Sequence, residues 1–217
     1  MREMKNRTLE SAATSGGLSE PAAERDRKTE ICEKARGIFI RYGYRKTTVE
    51  DIGNACGLRK GALYHYFANK EEIFAEIVRR ESERILGDMR DAVEACDDPR
   101  EQLAAMVRTR FQIFREIVAD SGIGKEISDL LPLAHSVRQN FFRKEVEMLA
   151  EILQRGAQRG VFRPIRSMAV PLVMVSALQG IETHFAEVQN APAIDEGLEE
   201  LLELLIEGIC KHEGASR

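Results

Sequence analysis

Apolar residues recur at helical spacing along most of the chain. Ile31, Ala35, Ile38, Phe39 and Tyr42 stand at i, i+4, i+7, i+8 and i+11, predicting a first helix that ends near Gly43. Thr47 followed by Glu50 has the spacing of a capping box and opens a short second helix to about Cys56. After Gly57 a third helix is expected from about Arg59 to Tyr66. Asn69 with Glu72 marks the start of a long fourth, striped by Ile73, Phe74, Ile77, Val78, Ile85 and Met89. Asp97-Asp98-Pro99 then leads into a fifth, Arg100 to about Asp120, with Leu103, Val107, Phe111, Phe114 and Val118 inward. A short helix around Lys125 to Leu131 precedes Pro132. A seventh runs from about Ala134 to Arg159 and is ended by Gly160, an eighth from about Ser167 to Gln189, and a ninth from about Ile194 to Lys211. About nine helices and no credible strand make the expected fold all-α.

Composition fits this reading. The chain has 217 residues and 43% apolar content, enough for a proper core in one large or two small domains. Its longest apolar stretch, Met168 to Leu178, falls well short of the roughly 18 residues of a membrane span. The N-terminus lacks the apolar segment of a secretory signal, so a cytoplasmic protein is expected. Cys32, Cys56, Cys96 and Cys210 are scattered without metal-ligand spacing and read as buried reduced thiols; no metal and no cofactor is expected. The net charge of −4 is unevenly spread. Between Arg25 and Lys70, eleven Lys and Arg stand against five acids, leaving +6 there and −10 elsewhere. A basic module on an acidic body implies a polyanionic partner for the module. Residues 1–23 are polar and read as a flexible tail, although Arg2, Lys5 and Arg7 offer phosphate contacts as an alternative. The expected division is a tail at 1–23, a basic unit at 24–68 and a larger unit at 69–217.

The informative stretch runs from Thr47 to Glu72. Two short helices around a Gly-containing turn are a helix-turn-helix pattern. Val49, Ile52, Leu58, Leu63 and Phe67 are its packing positions, Tyr66 reads as one more, and Arg59, Lys60, Tyr64 and His65 are left outward, suited to a major groove and its flanking phosphates. Here the chain resembles the TetR family of one-component bacterial regulators. Leu63-Tyr64-His65-Tyr66-Phe67 and Lys70-Glu71-Glu72 carry the most specific part of the resemblance, which extends over about residues 25 to 85.

The resemblance implies three N-terminal helices for DNA, a linking fourth helix, and a C-terminal helical domain for ligand binding and homodimerisation. It implies that Thr47 and Thr48 hold phosphate, that Lys60, Tyr64, His65 and Lys70 clamp the backbone, and that Gly61 lets DNA approach closely. Arg59 and Ala62 are the candidates for base edges, and Arg45 and Lys46 are added to the DNA face. Two departures stand out. Arg59 replaces a small hydroxyl residue, removing a side-chain cap, and Gly53 replaces an Ala, weakening the second helix by roughly 1 kcal/mol.

Beyond the module, Met106, Phe111, Phe114, Phe141, Phe142, Met148, Ile152 and Met174 exceed one core stripe and are candidates to line an apolar effector pocket, with core filling as the plain alternative. Arg110 is a candidate for an acidic ligand group or for an ion pair with a helix acid such as Glu182 or Glu116; His135 and His184 read as surface or core histidines. Leu172, Val175, Gln179, Leu198, Leu201, Leu202 and Leu205 are expected at a dimer interface. The combined expectation is a repressor that releases a palindromic operator in double-stranded DNA on binding a small apolar effector. A regulator governed by a protein partner, an activator, and an enzyme are the alternatives, and no nucleophile–base pair or phosphate-binding loop supports the last.

Overall fold

A computed structural model describes residues 22–121, 131–167, 169–185 and 191–211, without the side chains at 117–121, 131, 182–185 and 191–195. The tail at 1–21, the short helix expected around Lys125, and the side chains of Val118, Glu182 and His184 lie outside the described set.

The described residues form eight α-helices and one 3-10 turn. They are α1 (Ala22–Tyr42), α2 (Val49–Ala55), α3 (Lys60–Leu63), α4 (Lys70–Glu94), α5 (Pro99–Ser121), α6 (His135–Gln158), α7 (Ala169–Phe185) and α8 (Ala191–Ile209), with the 3-10 turn at Leu131–Ala134 before α6. The all-α expectation holds. Strand-like pairing among the described residues is limited to one bridge between Phe162 and Cys210. There Arg163 N–H donates to Ile209 O at 2.8 Å and Lys211 N–H to Val161 O at 3.0 Å, tying the turn after α6 to the end of α8.

Two hydrophobic clusters organise the chain. The first joins Ile31, Cys32, Ala35 and Phe39 of α1 with Tyr44, Ile52, Cys56, Leu63, Phe67 and Ile73. The second gathers Leu86, Met89 and Val93 of α4, Leu103 to Phe111 of α5, Met148 to Leu153 of α6, Phe162, Val175 of α7, and Leu198 and Leu202 of α8. α4 belongs to both. Its first turns pack Ile73, Phe74 and Ile77 on the first cluster, and its last turns face the second. Between them runs a ladder of i,i+3 and i,i+4 ion pairs: Arg79 and Arg80 with Glu76, Arg79 with Glu83, and Arg84 with Glu81 and Asp88.

Close packing also depends on one glycine in α6. A Cβ on Gly156 would clash with the edge of the Phe162 ring, which is buried against it. The turn after α6 therefore docks onto a bare patch of helix backbone.

Candidate nucleic-acid interface

The helix-turn-helix is assembled by its caps. Thr48, not Thr47, is the N-cap of α2. Its hydroxyl accepts from Asp51 N–H at 3.1 Å, while Asp51 Oδ2 accepts from Thr48 N–H at 2.8 Å, completing a capping box one residue later than Thr47–Glu50. Hydrogen bonds from the Thr48 hydroxyl and backbone hold the Asp51 carboxyl below its ordinary value. The turn that follows uses Gly57 at φ 65°, a conformation that side chains disfavour. Leu58 N–H then returns to Gly53 O at 2.8 Å. A Cβ on Gly53 would lie 2.9 Å from Leu58 O, so the glycine that lowers helix propensity also makes room for the tight turn. α3 opens at Arg59, which supplies no side-chain cap, as its residue type suggested.

Thr47 and Lys70, both expected on phosphate, are engaged inside the protein. Thr47 is buried and its hydroxyl donates to Gly43 O at 2.9 Å. Lys70 Nζ donates to Tyr44 O and Thr47 O, each at 2.9 Å, and sits 4.2 Å over the Tyr44 ring. These residues staple the loop between α1 and α2 to the start of α4. The physical reason is local: the loop carbonyls at Tyr44 and Thr47 need donors, and the helix-start lysine is the cation within reach.

Tyr44 is the residue that sequence pattern missed. It is buried between Phe39 and Phe74, with ring centroids 5.2 Å from each, and its hydroxyl donates to Glu71 at 3.2 Å. Burial, together with the neighbouring Glu71, pushes its phenol up to about 12. A lone tyrosine in a Gly-Tyr-Arg loop carries no periodic signal, so only the packing reveals it. Two other long-range ties went unread: Arg27 donates to Cys56 O at 3.0 Å, and Arg80 donates to the Thr29 hydroxyl at 2.6 Å.

The remaining DNA candidates share an outer surface. Arg45, Lys46, Thr48, Arg59, Lys60, Gly61, Tyr64 and His65 are exposed and Ala62 is half-buried, while Leu63 and Phe67 on the opposite side anchor the helix in the core. Tyr66 packs half-buried against that core. Lys46 also borders an open groove of about 890 Å³ between α1 and α2, together with Lys34, Arg41 and Tyr42.

In the second cluster the pocket candidates fill the core. Met106, Phe111, Met148 and Ile152 are buried, and Phe114, Phe141 and Met174 are half-buried. Arg110 is buried and pairs with Glu145 of α6, a helix acid other than the two named from sequence. Of the interface candidates, Val175, Leu198 and Leu202 lie in this chain's own core, because the helical phase turns them inward; Leu205 and Gln179 are half-buried. Leu172 and Leu201 do face outward, at 44% and 47% exposure, and are joined by Val173 at 63% and Leu204 at 61%. His135 is on the surface. Cys32 and Cys56 are buried, with burial pushing the Cys32 thiol up to about 12, whereas Cys96 and Cys210 are only half-buried. No helix among the described residues is long and apolar enough to cross a membrane.

Residues 31–77, the span of the first cluster, match the family model for bacterial regulatory proteins of the tetR family. Over 142 residues the chain is 30% identical to the HTH-type transcriptional repressor KstR2 of Mycobacterium tuberculosis, covering 64% of this chain and 70% of that one. The KstR2 structure, described as that of a ketosteroid transcriptional regulator, superposes with a TM-score of 0.52 at 23% identity, over 86% of this chain and 96% of that one. A TetR-family transcriptional regulator from Pectobacterium atrosepticum gives a TM-score of 0.68 at 21% identity, over 89% and 99%. These relatives are transcriptional regulators rather than enzymes. With its helix-turn-helix matched and two thirds of a curated relative covered, the chain belongs to the TetR family of bacterial regulatory proteins.

Proposed function

We propose that the protein is a homodimeric, ligand-responsive repressor that releases a palindromic operator when a small apolar effector binds. The observation that carries the DNA half is the cationic outer face formed by Arg45 and Lys46 of the loop before α2 with Arg59, Lys60, Tyr64 and His65 in and around α3, a segment anchored on its other side by buried Leu63 and Phe67. Such a face can enter a major groove while its neighbours hold phosphate. KstR2 is a repressor by name, which supports the same sign of regulation here.

The dimer half rests on Leu172, Val173, Ala177, Leu201 and Leu204. They leave an exposed apolar face on α7 and α8, matching a two-helix contribution to a four-helix interface. Twofold pairing would set the recognition helices about one DNA turn apart. The effector unit is proposed as residues 69–217, the DNA unit as 24–68, with α4 shared between their cores. The absence of a spanning helix among the described residues is in keeping with a cytoplasmic repressor.

Fluorescence anisotropy on fragments upstream of the protein's own gene, across a salt series, tests this reading. Sequence-selective binding with a steep negative salt slope is expected. Lys60→Ala should lower that slope by about one, and Arg59→Ala should cost about 1–3 kcal/mol and relax base preference at one position. Binding that is indifferent to sequence, there and in a random-sequence selection, would overturn it.

A further inference from the structure

From Lys34 to Lys46 the chain carries five cations and no acid. The fold lays this stretch along the open groove of about 890 Å³ between α1 and α2, with Lys34 and Arg41 on the α1 side, Asp51 and Asn54 on the α2 side, and Lys46 in the loop that joins them. Two of these charges are already matched. Lys34 Nζ donates to Glu30 at 2.8 Å, and the Asp51 carboxylate accepts from the Thr48 amide and hydroxyl. No acid among the described residues pairs with Arg41 or Lys46, and Arg41 lies 5.3 Å over the ring of Tyr42, itself 54% exposed. We infer that this groove is a second DNA contact, which holds phosphates of the duplex flanking the base pairs that α3 reads. The inference rests on the DNA half of the function proposed above and extends it beyond the recognition helix.

Position and charge together choose the occupant. In a helix-turn-helix the recognition helix lies in the major groove and the helix before it crosses the sugar–phosphate backbone. Gly53 marks the side of α2 on which the turn to α3 closes, since a Cβ there would lie 2.9 Å from Leu58 O. At 3.6 residues per turn, Asp51 and Ala55 stand on roughly the opposite side of that helix. Both line the groove, so it opens on the flank of α2 away from α3, where the crossed backbone continues. A strand leaving the major groove past Lys46 meets Arg41 and Tyr42 next, and Asn54 across from them. A guanidinium, a phenol hydroxyl and a side-chain amide all donate to phosphate oxygens without reading sequence. An apolar segment would desolvate two unmatched cations, which is costly. An acidic protein segment would match the charge, but it is the DNA backbone that α3 brings to this place.

Duplex length tests the inference. An operator recovered by random-sequence selection is made in two lengths, one ending at the outermost selected base pair and one extended on each side by about half a helical turn of unrelated sequence. The full-length protein is titrated with each by anisotropy across a salt series. The longer duplex should bind tighter, with a salt slope steeper by about one for each phosphate gained. Arg41→Ala should lower the slope on the longer duplex by about one per protomer and leave the shorter duplex and the base preference as in the native protein, whereas Lys60→Ala should weaken both. Ethylation interference on the native complex gives the same test without a variant: ethylated phosphates outside the selected base pairs should block binding. Equal affinity and slope for the two lengths overturn the inference alone, as does an Arg41→Ala deficit that is the same on both. A poly-glutamate peptide that binds the native protein and is lost in Arg41→Ala, with no effect of duplex length, gives the groove to an acidic protein segment and also overturns it. Failure of the selection to recover any preferred sequence removes the DNA reading and the inference with it.

Discussion

The first cluster is small and is closed by polar staples. Lys70 reaches two loop carbonyls, Arg27 reaches Cys56 O, the Tyr44 hydroxyl reaches Glu71, and Arg80 reaches Thr29. The second cluster is larger and nearly all apolar, with a charged pair locked in its middle. A three-helix unit buries too little apolar surface to hold its loops by packing alone, so directional bonds fix the angle at which the recognition helix is presented. The body has core to spare. It can keep an ion pair in its centre, where the pair adds little stability of its own but is costly to break.

The largest expected effect breaks that pair from one side. Arg110→Ala leaves Glu145 buried without this cation and should lower unfolding stability by about 3–5 kcal/mol in urea titrations, whereas the paired replacement by methionines should come close to the native value. A loss under about 1 kcal/mol would mean the pair is solvated, removing the contrast between the regions. Next comes Gly156→Ala, whose methyl must displace the buried Phe162 ring; about 1–3 kcal/mol of destabilisation is expected, read as a lower thermal midpoint.

Lys70→Met separates staple from DNA contact. It should cost about 1–2 kcal/mol of stability yet leave the salt slope of operator binding nearly unchanged, the reverse of Lys60→Ala. A slope lowered by about one would return Lys70 to the phosphate backbone.

The smallest effect is a pH dependence at the junction. Burial raises the Glu76 carboxyl, but hydrogen bonds from Arg79 and Arg80 outweigh this and leave it below its ordinary value. A carboxyl depressed in the folded state contributes stability that is fully present above its unfolded value, about 4.3, and is lost as pH falls through the folded value. The acid limb of the urea midpoint should therefore flatten in Glu76→Gln, and an unchanged limb would remove Glu76 from the account of acid sensitivity.

Much of the fold was legible because helical periodicity and caps are local. Gly43, Asn69, Pro99 and Gly160 lie within one or two residues of the ends they predicted. The cap of α2 was misplaced by one residue because Thr47-Thr48-Val49-Glu50-Asp51 offers two overlapping capping boxes, and only backbone geometry selects Thr48 with Asp51. The outward face of the recognition helix was read correctly as far as exposure goes, since Leu63 and Phe67 fix its phase.

The chain by itself determined the all-helical class, the helix-turn-helix and the separation of a basic module from an acidic body, since each is written in neighbours a few residues apart. Tertiary structure decided which polar groups look inward. Thr47 and Lys70 turned from phosphate candidates into staples, Arg110 found Glu145 35 residues away, and Val175, Leu198 and Leu202 went to the core while Val173 and Leu204 stayed outside. Spacing along a helix gives a stripe, but its orientation is set by the elements that pack on it, and a buried donor takes whichever acceptor those elements bring within reach.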